Sequence, residues 1–364
     1  MYFIRVDAND RIGIGHMMRC LCIAGALRRR GCESTFFVAD KSSAALVADA
    51  GFGYVCLHSD YDHLDVESDK LLQLMRERRA DNLLVDSYFV TESYLKKIRS
   101  VANVAYIDDI NKFIYPCDLL IDYNIYADEL DYPGRYRAAG LETSFALGME
   151  YMPLRESYMN IQRKPHEGLR VLITTGATDS YDVIGHILEK AVEKGLDERM
   201  EMIAIVGQYN HNKESLLERF SSRKNIHLID PQRDLVNLIA SCDMAVTAGG
   251  TTVYEMCAGG LPCVMVTLAD NQMRAALAFS SKGIIPYAGD VRTDMEGTIN
   301  NVISRLEEYA SDADLRAARA GRMKQVVDGH GADRIAELLM NLHNAKIPQQ
   351  RETDTDPNLP VTTG

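Results

Sequence analysis

At 364 residues the chain is too long for one ordinary core, so two domains of roughly 150 residues or more each are expected. Its 46% hydrophobic and 25% charged residues are those of an ordinary globular protein, and no apolar run approaches the roughly 18 residues of a membrane-spanning helix, which argues against membrane insertion. A formal net charge of -12, with Arg28-Arg29-Arg30 the only compact basic cluster, argues against a nucleic-acid partner.

The N-terminal stretch MYFIRVDAND carries charge and has no long apolar region, so a cytoplasmic location is expected rather than secretion. The eight cysteines form no CxxC or CxxH pair and lie mostly among apolar residues, which reads as buried thiols and no metal site. In the first half, short β-rich runs alternate with helical patterns: YFIRVD (2–7), STFFVA (34–39), YVCLH (54–58), NLLVD (82–86), VAYID (104–108) and DLLID (118–122). This is the βαβ rhythm of a parallel sheet. A helix is predicted over 15–30, because Met17, Leu21, Ala24 and Leu27 recur at helical spacing and Gly31 follows a basic last turn. The prolines, charges and glycine of 153–168 read as a linker after a domain spanning 1–152. Strands are then expected at 169–175, 200–207, 225–230, 243–248 and 261–269, with helical patterning again over 314–344. The second domain is therefore set at 169–344, with a last helix able to cross back to the first, and the polar stretch 345–364 is expected to be disordered. Two doubly wound, Rossmann-like parallel-sheet domains facing across a cleft, an α/β architecture, follow; in such sheets ligands bind beyond the carboxyl ends of the strands.

Three loops hold the candidate site residues. In DANDRIGIGHMMRC, Gly13 and Gly15 let a ligand approach the backbone at a helix start. The loop fails as a dinucleotide fingerprint, since position 18 is Met and Arg19 follows where the third glycine would lie. His16 at that helix start serves equally well as a cap or as a base, and the helix dipole favours a neutral imidazole there. In TAGGTTVYEMCAGGLP, Gly249, Gly250, Thr251 and Thr252 at a helix start suit a diphosphate, with the threonines capping and donating. Glu255, one turn on, can accept both hydroxyls of a ribose or simply favour the helix start by its charge. No lysine follows as in a magnesium-triphosphate loop. In LADNQ, Asp270, Asn271 and Gln272 can bind sugar substituents or cap the next helix.

DANDRIGIGHMMRCLCIAGALRRRG, VDSYFV (85–90), YIDD (106–109), LGMEYMPLRESY (147–158), AGGTTVYEMCAGGLP and LADNQ, in this order, resemble the PseG-type UDP-sugar hydrolases of pseudaminic acid biosynthesis and the related spore-coat SpsG proteins. The GGTT to GGLP segment alone is similar also to the N-acetylglucosaminyltransferase MurG, and this resemblance implies a GT-B-like fold for the two Rossmann-like domains. The resemblance covers residues 1 to about 344. It implies hydrolysis of a UDP-linked 2,4-diacetamido-2,4,6-trideoxyhexose at the anomeric carbon, metal-independent and inverting, with no cofactor and a small-molecule UDP-sugar as the partner of a monomer or weak homo-oligomer. His16 matches the family's catalytic base. The resemblance also implies substrate-binding roles for Asp7, Arg11, Gly13, Gly15, Tyr88, Asp108, Asn271 and Gln272, with Asp7 either orienting His16 or binding sugar. Tyr88 equally reads as a packed strand-end tyrosine, Asp108 and Asp109 as turn residues, and Arg155 as structural. Two departures fall where the sugar is recognised: Thr175-Gly176-Ala177-Thr178-Asp179 in place of a GGSD-like loop, and Asp122-Tyr123-Asn124 in place of an NQN-like stretch. The rival readings are a GT-B glycosyltransferase passing the sugar to an acceptor, and a nucleotide-sugar sensor without turnover.

Overall fold

The computed structural model describes residues 1–9, 11–232 and 234–350. The chain divides into two compact units, one of 1–123, 127–147 and the residues from Ala332 on, the other of 124–126 and 148–331.

The first unit is built on a seven-stranded parallel sheet of β1 (Tyr2–Val6), β2 (Ser34–Val38), β3 (Gly53–Cys56), β4 (Asn82–Asp86), β5 (Asn103–Ile107), β6 (Leu119–Asp122) and β7 (Ser144–Leu147). They lie in the order β3-β2-β1-β4-β5-β6-β7. Strands β1, β4, β5 and β6 are buried at every position, the pattern of a parallel sheet covered on both faces. On one face Phe3, Phe37, Val85, Val104 and Leu120 join a single apolar core. The second unit repeats the plan with six strands, β8 (Leu169–Thr174), β9 (Met200–Ile205), β10 (Ile226–Ile229), β11 (Met244–Ala248), β12 (Cys263–Thr267) and β13 (Tyr287–Asp290), ordered β10-β9-β8-β11-β12-β13. Val171, Ile173, Met202, Val246 and Val264 pack there with Ile184, Leu188 and Val302. In both sheets the order reverses beside the first strand, between β1 and β4 and between β8 and β11. These switch points are where loops splay apart at the carboxyl ends of strands.

All eleven expected strands are present, and β7 and β13 are additions. Each is a four-residue edge strand, and β13 carries Gly289 beside a register shift, so neither shows a clear pattern in sequence. The helix Gly15–Arg29 matches the expected span, but Leu21 is only partly covered; Met17, Cys20, Ile23, Ala24 and Leu27 form its buried stripe. The three arginines at its end do more than oppose a dipole. Arg28 stacks on Phe52 at 3.7 Å, and Arg29 and Arg30 pair with Asp333, Arg30 also with Glu337, both on the helix Gly331–Gln350. That helix thereby docks on the first unit. Of the cysteines, Cys22, Cys32 and Cys56 are partly exposed rather than buried.

The segment 153–168, expected as a linker, belongs to the second unit. Met152, Leu154, Tyr158 and Ile161 are buried, the Leu235 amide donates to the Tyr158 hydroxyl at 2.9 Å, and the Lys164 amide donates to the Ala240 carbonyl at 2.8 Å. Its prolines and charges concealed this apolar series. Farther on, a Cβ at Gly331 would lie 2.2 Å from the Met152 carbonyl oxygen, so only glycine fits where the chain leaves the second unit. The helix Gly331–Gln350 includes 345–350 of the stretch expected to be disordered, since a nucleated helix extends at little cost; the rest of that stretch, 351–364, lies outside the described residues.

Candidate active site

In the first unit, β1 ends at Val6 and the chain reaches the helix Gly15–Arg29 through a loop tied by Asn9. The Asn9 side-chain oxygen accepts the Arg11 and Ile12 amides at 2.9 and 3.0 Å, and its carbonyl accepts the Gly13 amide at 2.8 Å. Gly13 takes φ of 73°, a left-handed conformation that favours glycine, and a side chain at Gly13 or Gly15 would meet only open space. Backbone is therefore open to a ligand here. Arg11 is exposed.

His16 does not cap its helix: the cap position is Ile14, and no side chain caps there. Its Nδ1 instead lies 2.6 Å from Oδ1 of Asp86, the last residue of β4. Arg19, one turn along the same helix, grips Asp86 with Nε on Oδ2 and Nη2 on Oδ1, both at 2.5 Å. Its Nη1 reaches Asp109 Oδ2 at 2.6 Å and the Tyr123 hydroxyl. The Tyr88 ring stands edge-on to the imidazole, centroids 4.4 Å apart, while its hydroxyl donates to Asp109 at 3.3 Å. Burial alone would raise the Asp86 carboxyl, but Arg19 and His16 outweigh it and hold the group well below the usual carboxylate range. Burial likewise opposes charge on Arg19, and Asp109 and Asp86 overcome it, keeping the guanidinium firmly protonated. Tyr88 is pushed above the usual phenol range by burial and then by Asp109, so it stays a neutral donor.

Two expected residues are not brought to His16. Asp7 accepts the Ala39 amide at 2.7 Å and the buried Arg5 guanidinium at 2.5 Å, and Arg5 also pairs with Glu67. The reason is the pleat. Asp86 is in register with Val6, whereas Asp7 shares the opposite face with Arg5. Asp108 is fully buried and accepts the Ile110 and Asn111 amides and the Tyr132 hydroxyl, so it closes a turn; burial raises its carboxyl against those hydrogen bonds.

In the second unit, β11 runs through Gly249 and Gly250 into the helix Thr252–Gly259. Gly249 donates to the Val266 carbonyl, and a Cβ there would sit 3.0 Å from Gln272 Cβ, so the loop tucks beneath the start of the helix Asp270–Ser281. Around Gly250 there is open space. The expected threonine cap is not formed, because Thr251 occupies the cap position in helical φ, ψ and its side chain makes no cap hydrogen bond. The Val253 and Tyr254 amides bond back to the Gly250 and Thr251 carbonyls, so the Thr251 and Thr252 amides are the ones this uncapped helix start can offer to an incoming anion. Glu255 is mostly buried and 3.4 Å from Arg155 Nη2; burial raises its carboxyl, opposed by Tyr158 and Arg155. Gln272 turns its side-chain oxygen back to the Leu268 amide at 2.8 Å, a structural use, whereas Asn271 is exposed. Asp179 in the departing loop accepts the Val183 and Ile184 amides and so anchors the helix Val183–Glu193. Among the described residues, no three His, Cys, Asp or Glu side chains gather as a metal-ligand group.

Sequence reasoning missed Asp86, Arg19, Tyr123 and the Arg155 contact to Glu255. One signal was available: Arg19 is a charged residue on the buried stripe of an amphipathic helix, three residues from His16, and such a residue requires buried partners.

Two parallel-sheet units with this strand order define the class: a GT-B fold of two Rossmann-like units. Residues 170–309 match the glycosyltransferase family 28 C-terminal domain. Over 94% of its length the chain is 23% identical to the spore coat polysaccharide biosynthesis protein SpsG of Bacillus subtilis, 99% of which is covered. It is 21% identical to the UDP-2,4-diacetamido-2,4,6-trideoxy-beta-L-altropyranose hydrolase of Campylobacter jejuni, over 77% of this chain and 96% of the hydrolase. Among solved structures, MurG of Acinetobacter baumannii superposes with a TM-score of 0.68 at 13% identity, covering 93% of this chain and 99% of MurG. No helix among the described residues is long and apolar enough to cross a membrane.

Proposed function

We propose that this chain hydrolyses a UDP-linked 2,4-diacetamido-2,4,6-trideoxyhexose at its anomeric carbon, releasing UDP and the free sugar without a metal and with inversion. The observation that carries the proposal is His16, a buried imidazole hydrogen-bonded to a carboxylate at the carboxyl end of the first unit's central strands. His16 takes a proton from water as its oxygen bonds to the anomeric carbon; the bond from that carbon to the UDP oxygen breaks, and UDP leaves with the electron pair. The Thr251 and Thr252 amides, reached past Gly249 and Gly250, whose own amides are bonded to Val266 and Ala248, stabilise the charge gathering on the diphosphate, and Glu255 accepts from the ribose hydroxyls. Tyr88 and Asn271 contact the sugar, and Arg11 reaches it from the loop that Gly13 and Gly15 keep open. The similarity to the Campylobacter hydrolase supports the substrate class.

A glycosyltransferase reading draws on the family 28 match, which serves UDP binding equally well. The two separate when the purified protein meets a panel of UDP-sugars without acceptor or metal. Hydrolysis gives UDP from a diacetamido-trideoxyhexose donor. UDP that appears only after an acceptor is added overturns the proposal.

A further inference from the structure

We infer that Asp86 is a positioning residue for His16: gripped by the Arg19 fork, it keeps the proton of the neutral imidazole on Nδ1 and leaves the Nε2 lone pair for water. This deepens the proposed hydrolysis and rests on His16 being its base. An ionised carboxylate only accepts, so the 2.6 Å contact from Nδ1 to Oδ1 requires a hydrogen on Nδ1; without one, two lone pairs would face each other. Arg19 Nη2 also lies 2.9 Å from Nδ1; one of its two hydrogens serves Asp86 Oδ1 at 2.5 Å, and donating the other to Nδ1 would require a lone pair there, set against the carboxylate oxygen at 2.6 Å.

Arg19 is what makes the carboxylate a reliable acceptor. Its two hydrogen bonds to Asp86 occupy both oxygens, and Cys20 Sγ adds a weak third contact at 3.5 Å. Its remaining nitrogen is fixed by Asp109 and Tyr123, so the fork is held from β4 and from the segments after β5 and β6. Two carboxylates around one guanidinium leave one net negative charge near the ring. That charge stabilises the imidazolium formed when Nε2 takes the proton from water, and the proton then returns to solvent. Asp86 does not itself become protonated.

The test reads the ring nitrogens of the full chain labelled with 15N-histidine, His16 being assigned by its loss in His16→Ala. The expected spectrum of neutral His16 shows hydrogen on Nδ1 and none on Nε2. Hydrogen on Nε2 overturns the inference, and this reading needs no further variant to fold. In Asp86→Asn the proton preference is expected to be lost, with kcat for UDP release down by about 10³- to 10⁴-fold and KM within about threefold. An unchanged kcat in a folded Asp86→Asn protein also overturns it. Because the spectrum is recorded without substrate, its outcome is independent of the hydrolase reading, which fails separately if His16→Ala leaves UDP release intact.

Discussion

The two units share one strand order but use their switch points differently. In the first, the loops after β1, β4, β5 and β6 converge on His16, Asp86, Arg19, Asp109 and Tyr123, the first four locked together by hydrogen bonds of 2.5 to 2.6 Å. In the second, the loop after β11 offers glycine backbone and a helix start without a side-chain cap, with Glu255 and Arg155 one turn away. A side-chain network suits proton transfer, which needs fixed tautomers, whereas bare amides suit a diphosphate, which needs many donors and little steric bulk.

The sharpest way to break this division is to remove one member from each side. His16→Ala is expected to slow UDP release by about 10³-fold or more while UDP affinity, measured by calorimetry, stays unchanged. A weakened UDP affinity in that variant would blur the division. Arg19→Met strands Asp86 and Asp109 in a buried site, and should cost about 3–5 kcal/mol in denaturant unfolding. If the loss is below about 1 kcal/mol, the value of a surface pair, the network is not the buried lock described.

In the second unit the effects should be smaller and should fall on binding. Gly250→Val puts a side chain into the open space at the helix start, and at least a tenfold weaker UDP Kd is expected with an unchanged melting temperature. Glu255→Ala should weaken UDP binding by about tenfold through the loss of charge-assisted hydrogen bonds to the ribose, leaving kcat almost intact. Normal UDP affinity in either variant removes that residue from the nucleotide site.

The smallest effect concerns acid. Asp86 titrates below its unfolded value of about 3.9, so its stabilisation is complete above that pH and lost as pH falls toward the native value. Wild type should therefore lose stability below about pH 4 more steeply than Asp86→Asn, as read from denaturant midpoints across pH 2–6. Parallel slopes would show that Asp86 is not held ionised by Arg19.

Much of this architecture was legible in the sequence because parallel strands buried on both faces leave unbroken apolar runs, as in NLLVD and MAVTA. The glycine loops were legible too, since turn geometry is local. The partner of His16 was not. Asp7 and Asp86 both stand at strand ends, and only the register of β1 against β4 decides which carboxylate shares a face with the imidazole; that pairing joins residues 70 positions apart. Arg19 was set aside as a failed glycine position, although its place on a buried stripe held the clue. The segment 153–168 misled for a related reason: proline and charge mark a loop, but they do not say whether the loop is packed.

Hydrolysis in water enriched in 18O tests the central claim most directly, with both products read by mass spectrometry. With the matching UDP-sugar and no acceptor, the label is expected in the anomeric hydroxyl of the released sugar and not in UDP. Label in the β-phosphate of UDP, or no products until an acceptor is supplied, would contradict attack of water on the anomeric carbon.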